Sequence, residues 1–270
     1  SVMAIELNPS ISSNVSAFNQ LQNRIEDNQK QLSSGQRIND AAVDPAGLQV
    51  LIDFQSQILG NNTAIRNSLD GVSAIQIAEG GISQVTGSLQ QIRELSIQAQ
   101  NGILNDQDRA TLQNQADALL EGIQNSLGQA TFNGQSLLTE EGELQLQTGA
   151  DSEETQQVGT FDVESQLNDL GLFSLDITSP DSLNILDQAQ DFISTVSGEF
   201  GAAQNRLDST IDRLSGNTVN EAAAASRIGD TDYALAVSER TNALIQQEVG
   251  IAIQAQANAS RGIVLNLLGT

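Results

Sequence analysis

The sequence predicts a mainly α protein, an elongated antiparallel helical rod or coiled-coil bundle with a small β-hairpin tip. Three observations carry this expectation. Apolar residues recur seven apart near both ends of the chain, which marks a helix seam. Aromatic residues make up only 3% of the 270, with no tryptophan. The large rings that dominate globular cores are scarce, and the Leu, Ile, Val and Ala of helices packed side by side take their place. A central stretch breaks the helical period and alternates apolar with polar residues between turn signals.

Taken in order, Ile11, Phe18, Ile25 and Leu32 form the first seam, with Val15 and Leu21 on the same side. Pro9-Ser10 is a plausible start, and Ile11 to Leu32 would span about 32 Å. So polar a helix with so narrow a stripe needs a partner helix. "QLSSGQRINDAAVDPAG" (31–47) interrupts the period. Asp44-Pro45 turns the chain away from helix, and Pro45 can open the next one.

From Leu48 to Gln100 the seam resumes through Leu51, Ile58, Ile65 and Val72, then through Ile75, Ile82 and Leu89. The change of set near Gly71 fits a straight helix drifting against a heptad pattern. Gly80-Gly81 inside it reads as close packing rather than a ligand loop. "NGILNDQDRATL" closes this helix, Asn105 or Asp106 can cap the next, and Leu112, Ala116, Leu119, Ile123 and Leu127 give it an apolar face.

Residues 131–182 read as β structure. Asn133-Gly134 signals a turn, "ELQLQTG" (143–149) alternates as a half-buried strand does, and "TFDVES" and "LFSLDIT" are further strand candidates, placed at the far end of the rod. Helix returns through Ile185, Ala189, Phe192, Val196, Ala203, Leu207, Ile211 and Leu214. The last helix carries Val237, Leu244 and Ile251 seven apart. The order is palindromic, so the two terminal seams are expected to pair antiparallel, with Ile11, Phe18, Ile25 and Leu32 against Val237, Leu244 and Ile251.

Charge excludes several functions. With 34 acidic against 11 basic residues and a formal charge of −23, the chain repels phosphate backbones and anionic lipid, so no nucleic-acid partner is expected. The absence of cysteine and histidine removes thiol and imidazole chemistry. No run of apolar residues reaches membrane-spanning length, and the first 30 residues lack a basic n-region followed by an apolar run, so no cleavable signal peptide is expected. Glu140-Glu141 and Glu153-Glu154 sit in turns without a partner for acid–base work. "SSGQR" and "AEGG" lack phosphate-loop spacing, and "DSEET" lacks the calcium-loop pattern. No catalytic, cofactor-binding or metal-ligating set is expected, and the chain reads as a structural protein, not an enzyme.

Several blocks together resemble the bacterial flagellins. "QLSSGQRINDAAVDPAGLQV" (31–50) is similar to the family's N-terminal signature, "DGVSAIQIAEGGISQV" (70–85) and "LQQIRELSIQAQNG" (89–102) to its next blocks, and "ATFNGQSLL" (130–138) to its F-N-G turn. "GAAQNRLDSTI" (201–211) and "SRIGDTDYALAVSERT" (226–241) match its C-terminal signature in order. The resemblance implies a filament subunit for swimming motility, with a D0 inner tube from residues 1–34 and 226–270 and a spoke connector at 35–47, its spoke residues being Gly35, Arg37, Asp44 and Pro45 with Ser33 and Ser34 just before it. It implies a D1 layer from 48–130 and 183–225, with a short β tip at 131–182 where larger members insert outer domains. Export unfolded through the flagellar type III apparatus, an open homopolymer, an export chaperone, and cap and hook-junction partners are implied with it. In some members an arginine, a leucine and a glutamate contact Toll-like receptor five. The matching positions are Gln91, Leu95 and Gln115, so weak activation is expected. A hook–filament junction protein of the same plan is the nearest alternative, disfavoured by the F-N-G turn and "QNRLDS"; a non-flagellar coiled-coil scaffold is the other. Arg37 is expected to pair with Asp40, Asp44 or a neighbouring subunit's acids.

Overall fold

The structure, a computed structural model, describes the backbone of residues 9–268 and the side chains of 16–260, 262 and 263. The elements are α1 (Pro9–Ser34), α2 (Pro45–Ala99), α3 (Asp106–Gln129), β1 (Thr131–Phe132), β2 (Gln135–Ser136), β3 (Gly142–Gln147), β4 (Thr155–Thr160), α4 (Val163–Asp169), α5 (Ser182–Gly229) and α6 (Tyr233–Leu268), with a 3-10 turn at Leu172–Ser174. The chain divides into two compact units, one of residues 1–56 with 221–270 and the other of 57–220. Among the described residues no helix is long and apolar enough to cross a membrane. The mainly α expectation is met.

The larger unit is built on α2, α3 and α5. On α2 the inward positions run Ala64, Ser68, Gly71, Ile75, Ala78, Ile82, Val85, Leu89, Ile92, Ser96 and Ala99, alternating by four and three without a break. The seam therefore does not move at Gly71. Ile65 and Val72 lie one position off it and are half-buried, because small residues hold the seam there, and Ile58 is half-buried as well. Small residues leave room for a second element: the β3–β4 hairpin lies along this part of α2. Asn67 Nδ2 donates to the Gln147 carbonyl at 2.9 Å, and a Cβ on Gly71 would collide with Leu146 and lie 3.1 Å from Leu207 Cδ1. The hairpin thus flanks the helices instead of standing at their far end.

On α5 the buried positions are Leu186, Ala189, Ile193, Val196, Phe200, Ala203, Leu207 and Leu214. The expected Ala189, Val196, Ala203, Leu207 and Leu214 are among them, while Ile185, Phe192 and Ile211 are half-buried at its edge. From α3 come Ala116, Leu120, Ile123 and Leu127, and Asn105 caps it by accepting from Asp108 N at 2.8 Å. Gly81 does pack closely, with Leu138 Cδ1 2.9 Å from where its Cβ would stand, but Gly80 faces open space.

The β1–β2 hairpin closes on Asn133-Gly134, both at positive φ (50° and 79°), as a type I′ turn requires. Two of the expected strands are not strands. "TFDVES" leaves β4 at Thr160 and enters α4, where Asp162 caps the helix through Ser165 N. "LFSLDIT" forms the 3-10 turn and an irregular segment whose backbone is held by Gln113: its Oε1 accepts from Ile177 N and its Nε2 donates to Leu175 O. A side chain satisfying both groups removes the need for a ladder partner.

Candidate assembly surface

The smaller unit holds most of the residues that the sequence singles out. α1 and α6 run antiparallel, as the Gln22–Gln247 hydrogen bond (2.8 Å) and the antiparallel bridge between Gln36 and Asp230 fix. On α1, Leu21, Ile25 and Leu32 are half-buried and Asn28 is buried, in four-and-three spacing. Ile25 and Leu32 therefore sit on the expected seam, and Phe18, 37% exposed, lies at its edge. The side chain of Ile11 lies outside the described residues.

The α6 half of the expectation is corrected. Its buried residues are Ala236 and Ala243, each one position before the residue expected, and Arg240, Gln247 and Gln254 continue their stripe half-buried. Val237, Leu244 and Ile251 are 50%, 36% and 53% exposed. The reason lies in α6 having two stripes. The small and polar one admits a close neighbour and can hydrogen-bond to Gln22, so it makes the close contact with α1; the large aliphatics stand outside that contact, Ile251 and Ile253 at an open groove beside it. Ile245, Val249 and Ile253 add to that uncovered surface. A groove of about 560 Å³ runs between the helices, with Phe18 and Leu21 on one wall and Gly250, Ile251 and Ile253 on the other.

The connector is two-stranded, which the sequence did not suggest. Gly35 ends α1 at φ 73°, a conformation glycine adopts without strain, and its carbonyl accepts from Thr231 N at 2.9 Å. Arg37 N donates to Gly229 O at 2.7 Å, and Arg37 Nη2 donates to Ile228 O at 2.6 Å. The residue thus caps the C-terminus of α5, where free carbonyls carry partial negative charge. That replaces the expected pairing with Asp40 or Asp44; among the described residues the ion pairs are Lys30–Asp27, Arg93–Asp187 and Arg213–Glu154.

Asp44 instead caps α2, accepting from Gly47 N at 2.9 Å with Pro45 in the first turn, and Asp232 caps α6 through Leu235 N at 3.1 Å. Ser33 and Ser34 donate back to Gln29 O (2.7 Å) and Lys30 O (2.9 Å). Ile38, 3% exposed, and Leu51, which presses on Gly229, give the connector a core. Sequence reasoning missed Ile38; its signal was a lone aliphatic between Arg37 and Asn39.

In the larger unit, Gln91, Leu95 and Gln115 do come together, on one shallow depression of α2 and α3 that also includes Glu94 and Gln98. Among the described residues no cluster of acidic side chains is placed to hold a metal.

Comparison with known proteins agrees with these features. The family model for the bacterial flagellin N-terminal helical region matches residues 5–142, and that for the C-terminal helical region matches 183–268. The chain is 37% identical over 244 residues to a flagellin of Halalkalibacterium halodurans, covering 88% of this chain and 90% of that one. It is 34% identical to a flagellin of Bacillus subtilis, covering 96% and 99%. A solved flagellar hook-associated protein from Vibrio parahaemolyticus superposes with a TM-score of 0.59 at 16% identity, over 70% of this chain and all of that one, a likeness of fold alone.

Proposed function

The chain belongs to the bacterial flagellin family, and from that premise we propose that it is a structural subunit of the extracellular flagellar filament, polymerising with copies of itself. The observation that carries this is the broad aliphatic surface of α6 that no neighbour covers. Val237, Leu244, Ile245, Val249, Ile251 and Ile253 are exposed while α6 already has a partner in α1. So many aliphatics on one helix mark an interaction surface, and a contact between unlike faces of identical subunits, where its rotation does not close a ring, propagates as an open helix. In this reading α1 and α6 form the inner D0 tube, the connector is the spoke, and the larger unit is the D1 layer.

Leu244→Asp or Ile251→Asp should abolish filaments seen by electron microscopy, while circular dichroism of the soluble chain stays helical, because neither side chain is buried in the single subunit. Phe18→Asp should do the same through the groove. Intact filaments from these variants would refute the reading.

Cap and hook-junction proteins and an export chaperone complete the proposed partners, and no catalytic role is proposed. For Toll-like receptor five, Gln91 and Gln115 stand where other members carry charge, so we expect weak activation, and full potency in a reporter-cell assay would overturn that.

A further inference from the structure

We propose that Asn101 is a self-activated deamidation site, its conversion to aspartate and isoaspartate promoted by Arg109. The sequence has two Asn-Gly dipeptides, 101–102 and 133–134, and glycine leaves the following amide open to attack on the side chain. The two differ in what surrounds them.

At the α2–α3 turn both oxygens that gain charge in the reaction are already met by donors. Asn101 O accepts from Leu104 N at 3.2 Å and from the Arg109 guanidinium Nη2 at 3.1 Å. Asn101 Oδ1 accepts from Ile103 N at 3.3 Å. Asn101 and Gly102 are both exposed, and no other group stands within 4 Å of a Cβ built on Gly102.

The chemistry runs through the Gly102 amide. Hydroxide removes the Gly102 N–H proton, and the resulting charge delocalises onto Asn101 O, where Arg109 and Leu104 N stabilise it. The Gly102 nitrogen then bonds to Asn101 Cγ, and the oxyanion forming on Oδ1 meets the Ile103 amide. Breaking the Cγ–N bond, with a proton from water, releases ammonia and leaves a succinimide. Water adds to either ring carbonyl and opens it to aspartate or isoaspartate. The net change is asparagine plus water to acid plus ammonia. Fixed donors aimed at developing oxyanions are the usual source of such acceleration. The product is a carboxylate in place of a neutral amide, which takes the formal charge from −23 to −24.

Asn133 lacks this arrangement. It sits at φ 50° in a two-residue turn whose flanking residues Phe132 and Gln135 are paired, so ring closure must first distort the hairpin.

The test is incubation of the full-length protein at mildly alkaline pH, with peptide mapping by mass spectrometry. We expect a gain of about one mass unit and release of ammonia localised to Asn101, several-fold faster than at Asn133. Arg109→Gln should slow Asn101 several-fold and leave Asn133 unchanged, with circular dichroism confirming that the helices persist. Gly102→Ala should slow it by roughly tenfold, as a side chain blocks the approach. Equal rates at the two asparagines would overturn the site. An Arg109→Gln rate equal to or above the wild type would overturn the activation, since a merely structural role for Arg109 would loosen the turn and speed the reaction.

Discussion

Arg37 holds two carbonyls of α5, one with its backbone amide and one with its guanidinium. A bond from a charged donor to a helix end is worth about 1–3 kcal/mol, less where water competes, as it does at this exposed residue. Arg37→Ala should therefore lower stability by about 1 kcal/mol. It should also speed hydrogen exchange at the Arg37 and Thr231 amides, which donate to Gly229 O and Gly35 O across the connector. Unchanged protection there would mean that the two strands are held by Ile38 and Leu51 alone. Asp176 is a second residue whose role is electrostatic. Thr178 donates to it from its hydroxyl (2.6 Å) and its amide (2.8 Å), and these bonds hold the carboxyl below its ordinary value against a small opposing desolvation. A depressed carboxyl contributes stability that is present above its unfolded pKa and lost as pH falls through the lower folded one. Thr178→Val should return the Asp176 titration, followed by NMR, toward the ordinary range; an unmoved midpoint would assign the shift to another cause.

At the scale of the elements, the β3–β4 hairpin and the small-residue stretch of α2 form a matched pair, so two glycines of one helix should respond oppositely to substitution. Gly71→Val would drive a branched side chain into Leu146 and Leu207 and should cost about 1–3 kcal/mol in denaturant unfolding. Gly80→Ala meets nothing within 4 Å and should gain up to about 1 kcal/mol from helix propensity. If both changes proved neutral, the hairpin would not pack as described. The same pair explains what could be read beforehand. The long helices were legible, because each carries sustained four-and-three spacing, whereas the short α4 was expected as strand. The hairpin strand at 143–149 and the Asn133-Gly134 turn were legible from local pattern. The inward face was not, where small residues carry it: Ala64 and Gly71 on α2, and Ala236 and Ala243 on α6, all yielded in the sequence reading to larger neighbours one position away, and Ser68 was not singled out at all. Apolar size marks which residues seek burial, whereas close approach of a partner selects small ones, and only tertiary packing decides between them. The two-stranded connector was hidden for a related reason, since its bonds join residues 191 or more apart through backbone carbonyls that carry no sequence signature.

For the whole molecule, assembly must bring together chains of formal charge −23. The three ion pairs among the described residues neutralise few of the 34 acidic groups, and Asp191, Asp208 and Asp212 stand exposed on one helix, α5. Each subunit added to a polymer therefore works against its neighbours' field, and the exposed aliphatics of α6 must outweigh that repulsion. Screening shortens the reach of the field from about 10 Å at 0.1 M monovalent salt to about 3 Å at 1 M, so the critical concentration for polymerisation should fall steeply as sodium chloride rises over that range. Sulfate would also strengthen apolar burial, so salt species alone cannot separate the two forces, but charge removal can. A variant carrying Asp191→Asn, Asp208→Asn and Asp212→Asn leaves every α6 aliphatic in place and should polymerise at lower sodium chloride than the parent, measured by sedimentation of filaments. Leu244→Asp should fail at any salt concentration, since no screening restores a lost apolar contact. A critical concentration indifferent to both salt and the three substitutions would show that repulsion between the chains does not set the threshold for assembly.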